Sequence, residues 1–247
     1  MNFYEYPSVK AIPHTKDEVD KLIEEFSIDD DNQFIIHPKI DGVPFQIELS
    51  TNNRYYGSSY GYYNNTNNFD IYGLQKFMEE NYGQFLDKCC NENSAYLTLY
   101  FQAFGSHIKP TIDYQTEKDI VLYDINTCVP ALGTGNKRVL IPFLQFTVIS
   151  YVLKHIQVPN TIKDLPCFPV RNIKNLLYEL VDIIKDNDGH IDTENYVFKS
   201  SHIEQLSFNL PYSYFAGGFI IKPYNKIVTN NQGQQLLLKV QSSEFQQ

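Results

Sequence analysis

Residues 33–49, QFIIHPKIDGVPFQIEL, constrain this chain more than any other stretch. Branched and aromatic side chains fill the segment at a density that suits pleated strands, and Asp41-Gly42 with Pro44 interrupts it in the middle. It reads as strand, turn, strand, with Lys39 at the end of the first strand. Further strand-like runs follow at residues 95–104 (AYLTLYFQAF), 119–125 (DIVLYDI), 218–222 (GFIIK) and 235–240 (QLLLKV). Isolated helical periods stand between them. Thr15-Lys16-Asp17-Glu18 has the form of a capping box ahead of Val19, Leu22, Ile23 and Phe26. Leu74, Phe77, Met78 and Tyr82 mark a second helix, and residues 140–158 and 172–185 are also helical in period. A polar stretch rich in Tyr and Asn runs to about Phe69. Strands interleaved with single helices, without regular βαβ alternation, predict an α+β fold of mostly antiparallel sheets. No repeat or linker forces a boundary, so one domain over residues 1–247 is expected.

Charge narrows the partners. Lys and Arg total 20 against 29 Asp and Glu, a net charge of −9, so the global field repels a polyanion and a nucleic-acid site must be a local cluster. Cys89, Cys90, Cys128 and Cys167 include no CxxC pair and have no matching His spacing, which argues against zinc and against a disulfide framework. The start, MNFYEYPSVK, lacks a charged region followed by an apolar one, and no apolar run approaches a membrane span. The expectation is a soluble intracellular protein, cytoplasmic or nuclear, with no membrane partner and no metal held by a His/Cys cluster.

Lys39-Ile40-Asp41-Gly42 is the first string with chemical content. A lysine acts as a nucleophile only when its amine is partly neutral, which desolvation or neighbouring cations favour. Alone, the string reads better as a solvated lysine in a hairpin. Asp186-Asn187-Asp188-Gly189-His190-Ile191-Asp192 imitates the centre of a calcium loop but lacks a closing carboxylate, with Asn195 in the last position, and reads as a polar turn. Residues 133–138, GTGNKR, read as a basic surface loop. The six His are scattered, and His107 beside Ser106 reads as a surface residue or one that backs the site rather than a ligand.

Taken in order, FYEYPSV (residues 3–9), FIIHPKIDGVPFQIEL, FQAFG, DIVLYDI, GFIIKP and LLLKVQSSEF resemble the collinear motifs of the lysine nucleotidyltransferases, which include polynucleotide ligases and mRNA capping enzymes. The likeness is strongest to RNA ligases of the bacteriophage and kinetoplastid RNA-editing type and spans essentially the whole chain. It implies an ATP-grasp-like nucleotidyltransferase fold of mostly antiparallel sheets with flanking helices and a nucleotide cleft between the sheets. It also implies ATP and Mg²⁺ as cofactors and RNA ends as substrate. The lysine attacks the α-phosphate, expels pyrophosphate and carries AMP as a lysyl adenylate to an RNA 5′-phosphate. Lys39 matches the nucleophile, Tyr123 the aromatic stacked on adenine, and Lys222 and Lys239 the cations near the phosphates.

The departures are as informative as the matches. Ser59 stands where the family has an Arg, Ser106 where a Glu fixes the ribose, and Gly217 where a Glu helps hold the metal. Gln241 replaces the second of two lysines, and Pro38 replaces the acidic residue before the nucleophile. Leaving aside the base-reading position of Pro38, two carboxylates and two cations are lost from a site that handles a metal and a triphosphate. A shifted register, with Glu48, Gln102, Asp124 or Glu244 supplying the missing polarity, is the alternative. Two functions therefore stand side by side: a weakened RNA-ligase-like nucleotidyltransferase, and an inactive pseudo-ligase acting as a nucleotide-binding, RNA-binding or protein-interaction module. No C-terminal accessory domain follows the last motif, so a protein partner is expected to supply that part.

Overall fold

The computed structural model describes residues 6–50, 53–58, 61–63, 71–92, 97–108, 114, 116–131, 135–140, 159–161, 167–186, 200–203 and 217–241. In chain order these form β1 (Lys10–Ala11), α1 (Lys16–Glu25), β2 (Phe34–Pro38), β3 (Val43–Ser50), β4 (Asn53–Ser58), β5 (Gly61–Tyr63), α2 (Leu74–Glu92), β6 (Leu97–Phe104), β7 (Asp119–Ala131), β8 (Gly135–Leu140), β9 (Asn160–Thr161), β10 (Phe168–Val170), α3 (Ile173–Asp186), β11 (Phe219–Pro223) and β12 (Leu238–Val240). Among the described residues, two mostly antiparallel sheets and three α-helices make this an α+β fold. None of the described helices is long and apolar enough to cross a membrane.

The chain divides into two compact units, one of residues 1–6 and 41–164, the other of residues 7–40 and 165–247. The second is built on a sheet in the order β1-β12-β11-β2-β10. Alternation along its strands sends Phe34, Ile36, Phe168, Phe219, Ile221, Leu238 and Val240 to one face. There they meet Val19, Leu22 and Phe26 of α1 and Ile173, Leu176, Leu177, Leu180 and Val181 of α3. The capping box is present, with Glu18 N–H donating to Thr15 Oγ1 (3.2 Å) and Thr15 N–H donating to Glu18 Oε2 (3.2 Å). Asn172 opens α3 by accepting from Asn175 N–H at 2.9 Å.

The first unit's sheet runs β5-β4-β3-β6-β7-β8, with β9 parallel to β7. Val43, Phe45, Ile47, Leu49, Tyr56, Leu99, Phe101, Ala103, Ile120, Leu122 and Ile125 pack with Leu74, Met78, Phe85 and Leu86 of α2. That helix breaks at Tyr82, whose φ −129° and ψ 16° leave the helical region. Arg54 on β4 clamps α2 through Glu79 and Asp87, and Tyr56 OH donates to Glu79.

Several expectations change. The strands on either side of Asp41-Gly42 exist but do not pair: β2 joins one sheet and β3 the other, because the chain passes from one unit to the other at Ile40/Asp41. Gly42 serves a close approach there, since a Cβ on it would lie 2.1 Å from Ala103 O. The polar stretch before Phe69 supplies β4 and β5, whose ladders continue the β3 sheet. Residues 135–138 belong to β8, paired with β7, and are not a surface loop. Leu140 ends that strand, while residues 141–158 lie outside the described residues. Of the calcium-loop imitation, Asp186 ends α3 and the remainder lies outside them.

Candidate functional site

The face of the second unit's sheet turned away from its core is a small grid. Antiparallel partners share a face, so the register places His37, Ile220 and Lys239 in one row across β2, β11 and β12, and Ile35 and Lys222 in the next. Lys39 N–H donates to Gly218 O at 3.0 Å, extending the β2–β11 ladder one pair beyond the strand. Continued alternation carries Lys39 to the same face as His37. A Cβ on Gly218 would stand 2.2 Å from Val240 O and 2.9 Å from Gln241 Cα, so Gln241 flanks Gly218 on its other side. The third row is therefore Lys39, Gly218, Gln241. Rows on one face are roughly 7 Å apart and strands roughly 5 Å, which puts the Cα atoms of Lys239 and Lys222 roughly 12 and 15 Å from that of Lys39. Lysine side chains span much of such a distance, and a triphosphate spans the rest.

Three of the four residues singled out from the sequence thus share one sheet face, and Gln241 lies in the row of Lys39. Lys222 is buried at 3% exposure, while Lys39 and Lys239 are half-buried. The five strands of this sheet contain no Asp or Glu. Gly217, at the corner next to Gly218, is buried and brings no charge.

His37 is the residue on this face that the sequence did not single out. It is 4% exposed, and its Nδ1–H donates to Pro38 O at 2.9 Å, the carbonyl being able only to accept. Burial first, and the nearby Lys222 charge second, push its pKa down to about 3, against the smaller opposing effect of the Pro38 bond. The imidazole is therefore neutral, with its proton on Nδ1 and a lone pair on Nε2. Its signal in the sequence was the alternation Ile35, His37, Lys39.

Tyr123 lies in the first unit, where β7 bulges. Leu122 pairs with Phe101 and Asp124 with Tyr100, so Tyr123 is the extra residue. The bulge reverses the alternation and turns Asp124 away from the apolar core while keeping Leu122 and Ile125 in it. Tyr6 OH donates to the buried Asp124 Oδ2 at 2.5 Å. The Tyr6 ring stands edge-on to Tyr123 at 5.1 Å and to Tyr100 at 5.0 Å, and Tyr100 and Tyr123 are 6.2 Å apart. Burial, with the Asp124 charge next, raises the pKa values of Tyr123 and Tyr6, so both phenols stay neutral. Tyr123 and Tyr6 are both half-buried where Tyr100 is sealed, so Tyr123 keeps some ring surface that a flat partner could use. The opening FYEYPSV motif contributes here through Tyr6, a role its spacing alone did not assign.

The remaining positions divide. Ser106 sits in an exposed turn, its N–H donating to Thr116 O at 3.0 Å, and no carboxylate takes its place in the turn formed by residues 105–108. Ser59 and Glu244 lie outside the described residues. Glu48 and Asp124 are buried on the first unit's sheet, and Gln102 is half-buried. Among the described residues no group of three or more His, Cys, Asp or Glu is arranged to hold a metal ion. The three lysines of the second unit's sheet face suit an anionic ligand such as a phosphate, and the five strands of that sheet offer no carboxylate to a divalent ion.

No protein-family model matches the sequence, and no curated protein matches it either. Solved structures do match in shape. A Naegleria gruberi RNA ligase variant with ATP and Mn aligns over 99% of this chain with a TM-score of 0.51 and 11% identity. Another variant of that ligase, with AMP and Mn, gives the same TM-score and identity. An archaeal ATP-dependent RNA ligase aligns over 97% with a TM-score of 0.52 and 12% identity. The chain spans 58% of the Naegleria ligase chain and 48% of the archaeal one. At such identities the likeness concerns architecture, and the architecture is the RNA ligase nucleotidyltransferase fold.

Proposed function

We propose that this chain is an RNA-ligase-like nucleotidyltransferase domain of the bacteriophage and RNA-editing type, with both units together forming the one domain and with its chemistry weakened. The observation that carries this is the grid: Lys39, Lys222 and Lys239 on one face of one sheet, reached from distant chain positions. In the proposed reaction Lys39 Nζ forms a bond to the α-phosphorus of ATP, the bond from that phosphorus to the bridging oxygen breaks, pyrophosphate leaves and the amine proton passes to solvent. Lys222 and Lys239 offset the developing phosphate charge, and Tyr123 stacks on the adenine. The adenylate then passes to an RNA 5′-phosphate end. With a net charge of −9, a basic protein partner is the natural carrier of that RNA.

A second reading has its own support. A sheet without a single carboxylate, Gly217 at its corner and the exposed Ser106 turn suit a pseudo-ligase that binds nucleotide without metal. Its affinity for ATP would be in the range of 0.1 mM or weaker, about −5 kcal/mol.

Incubation with α-labelled ATP and Mg²⁺ or Mn²⁺ separates the two. A faint covalent label that disappears in Lys39→Ala supports the weakened enzyme. Metal-independent ATP binding without label supports the pseudo-ligase. Absence of both label and binding removes the nucleotide site altogether.

A further inference from the structure

We propose that β5 is a self-association edge: two copies of this chain pair antiparallel through Gly61–Tyr63 about a two-fold axis, which joins their first-unit sheets into one. The inference uses no residue of the nucleotide site and holds or fails separately from the proposed reaction.

The terminal strand of a sheet offers main-chain N–H and C=O groups to any further strand, and folded proteins block such edges with proline, lysine or a covering segment. Among the described residues the two sheets end on four strands, and three of them carry such a block. β1 is two residues long, one of them Lys10, with Pro7 and Pro13 close on either side. β10 contains Pro169, and it is covered beyond that: Val170 bridges to Ile203, and Arg171 N–H donates to His202 O at 2.8 Å. The sequence of β8 includes Lys137 and Arg138. β5 is the exception. It reads Gly-Tyr-Tyr and lies in residues 55–69, YYGSSYGYYNNTNNF, which contain no charge and no proline. The strand is short, yet the sequence on both sides sets no barrier to a longer pairing, and its Tyr content favours strands.

The same features select the occupant. An identical strand running antiparallel is self-complementary: with Tyr62 opposite its own counterpart, Gly61 falls opposite Tyr63, and the contact closes after two chains. Tyr62 pairs with Gly57 of β4, and alternate residues of β5 turn their main-chain groups toward β4 or outward, so the outer edge presents hydrogen-bonding groups in either phase of the ladder. Nucleic acid has no strand to add and needs cations, which residues 55–69 lack. A charged peptide finds no opposite charge there. The net charge of −9 makes two copies repel at a distance, and this stretch adds nothing to that repulsion.

Sedimentation equilibrium of the full chain from about 10 μM to about 1 mM, at low and high salt, tests the edge. The average mass should rise from that of one chain toward that of two. The association should strengthen with salt, because screening weakens the long-range repulsion and leaves short main-chain bonds in place. Tyr62→Lys puts two like charges across the axis and should weaken the dimer at least about tenfold. Ala11→Lys, at the exposed residue of β1, should leave it unchanged. Amide exchange on the wild type needs no variant and decides the matter if Tyr62→Lys fails to fold: peptides containing residues 61–63 should exchange more slowly at high concentration, while those from β1 should not change. Any one of four results overturns the assignment: a single-chain mass throughout, a Tyr62→Lys dimer as tight as the wild type's, growth beyond two chains, or association that weakens with salt. Exchange at residues 61–63 that is independent of concentration overturns it as well.

Discussion

Asn126 pairs with Thr98 across β6 and β7 on the polar face of the first unit's sheet, is 1% exposed, and has neither carboxamide atom hydrogen-bonded. A buried amide without partners costs about 1 to 3 kcal/mol, and an apolar residue of the same shape avoids that cost. Asn126→Leu is therefore expected to raise stability by about 1 kcal/mol or more, read as a shifted urea midpoint at unchanged slope; a loss of stability would mean the amide is satisfied in solution. Gly218 represents the opposite situation. Its φ of +113° disfavours any side chain, and a Cβ would collide with Val240 O. Gly218→Ala should cost about 2 to 4 kcal/mol by prising β11 from β12, and should weaken nucleotide binding because Lys39 and Gln241 flank that position. Equal thermal midpoints for variant and wild type would count against the close approach. Gly217→Glu combined with Gln241→Lys tests the substituted positions themselves. Because Gln241 lies in the row of Lys39, the pair should strengthen Mg²⁺-dependent ATP binding more than the sum of the single changes. Strict additivity in calorimetry would place the two residues outside one site.

The bulge in β7 makes its own prediction at the scale of the element. Deleting Tyr123 leaves Leu122 opposite Phe101 and Asp124 opposite Tyr100 in an unbroken ladder, with every core residue still facing the core. The deletion should therefore fold, at the cost of the ring contacts to Tyr6 and Tyr100, about 1 to 3 kcal/mol. ATP binding should fall at least tenfold; binding at wild-type strength would remove Tyr123 from the site. Nothing in the string VLYDI announces the bulge, because Leu122, Asp124 and Ile125 satisfy no single alternation. The same limit explains which elements were legible. α1, α2 and α3 carry several turns of apolar period, and α1 adds a capping box that pairs as its residues suggest. β2, β3, β6 and β11 are dense in branched and aromatic residues. By contrast, β1, β9 and β10 have two or three residues each, and their existence depends on partners far along the chain. The polar β4, β5 and β8 are likewise held by ladders to β3 and β7 rather than by their own composition. At the candidate site, ordered motifs singled out the lysines, whereas His37 emerged only when the register showed which residues share a face with them.

At the scale of the whole molecule, the second unit is assembled from both ends of the sequence. Its strand β2 comes from the first forty residues and is held between β10 and β11 from the last third. A perturbation inside β2 therefore acts on the whole unit, and His37 provides one that pH controls. Its pKa is about 3 in the folded state against the ordinary value of 6.5, so between these values the unfolded chain binds a proton that the folded chain refuses. Stability from this residue is complete above pH 6.5 and declines as the pH falls, by about 1.4 kcal/mol per unit and so about 2 kcal/mol by pH 5. Glu18, Asp20, Glu25 and Asp29 have lowered pKa values too, but their ordinary values of 4.5 or 3.8 place their loss at lower pH. Among the described groups with lowered pKa values, the histidine is therefore the one whose loss falls in the window from pH 6.5 to 5. Urea unfolding across it should show wild-type stability falling and His37→Gln nearly flat. Amide exchange at pH 5 should accelerate first in β2, β11 and β12, whose ladder surrounds His37, before it does so in β3 and β6 of the other unit. A wild-type profile that is level from pH 7 to 5 would mean that His37 takes up its proton in the folded protein, and the fixed acceptor on the lysine face would be lost with it.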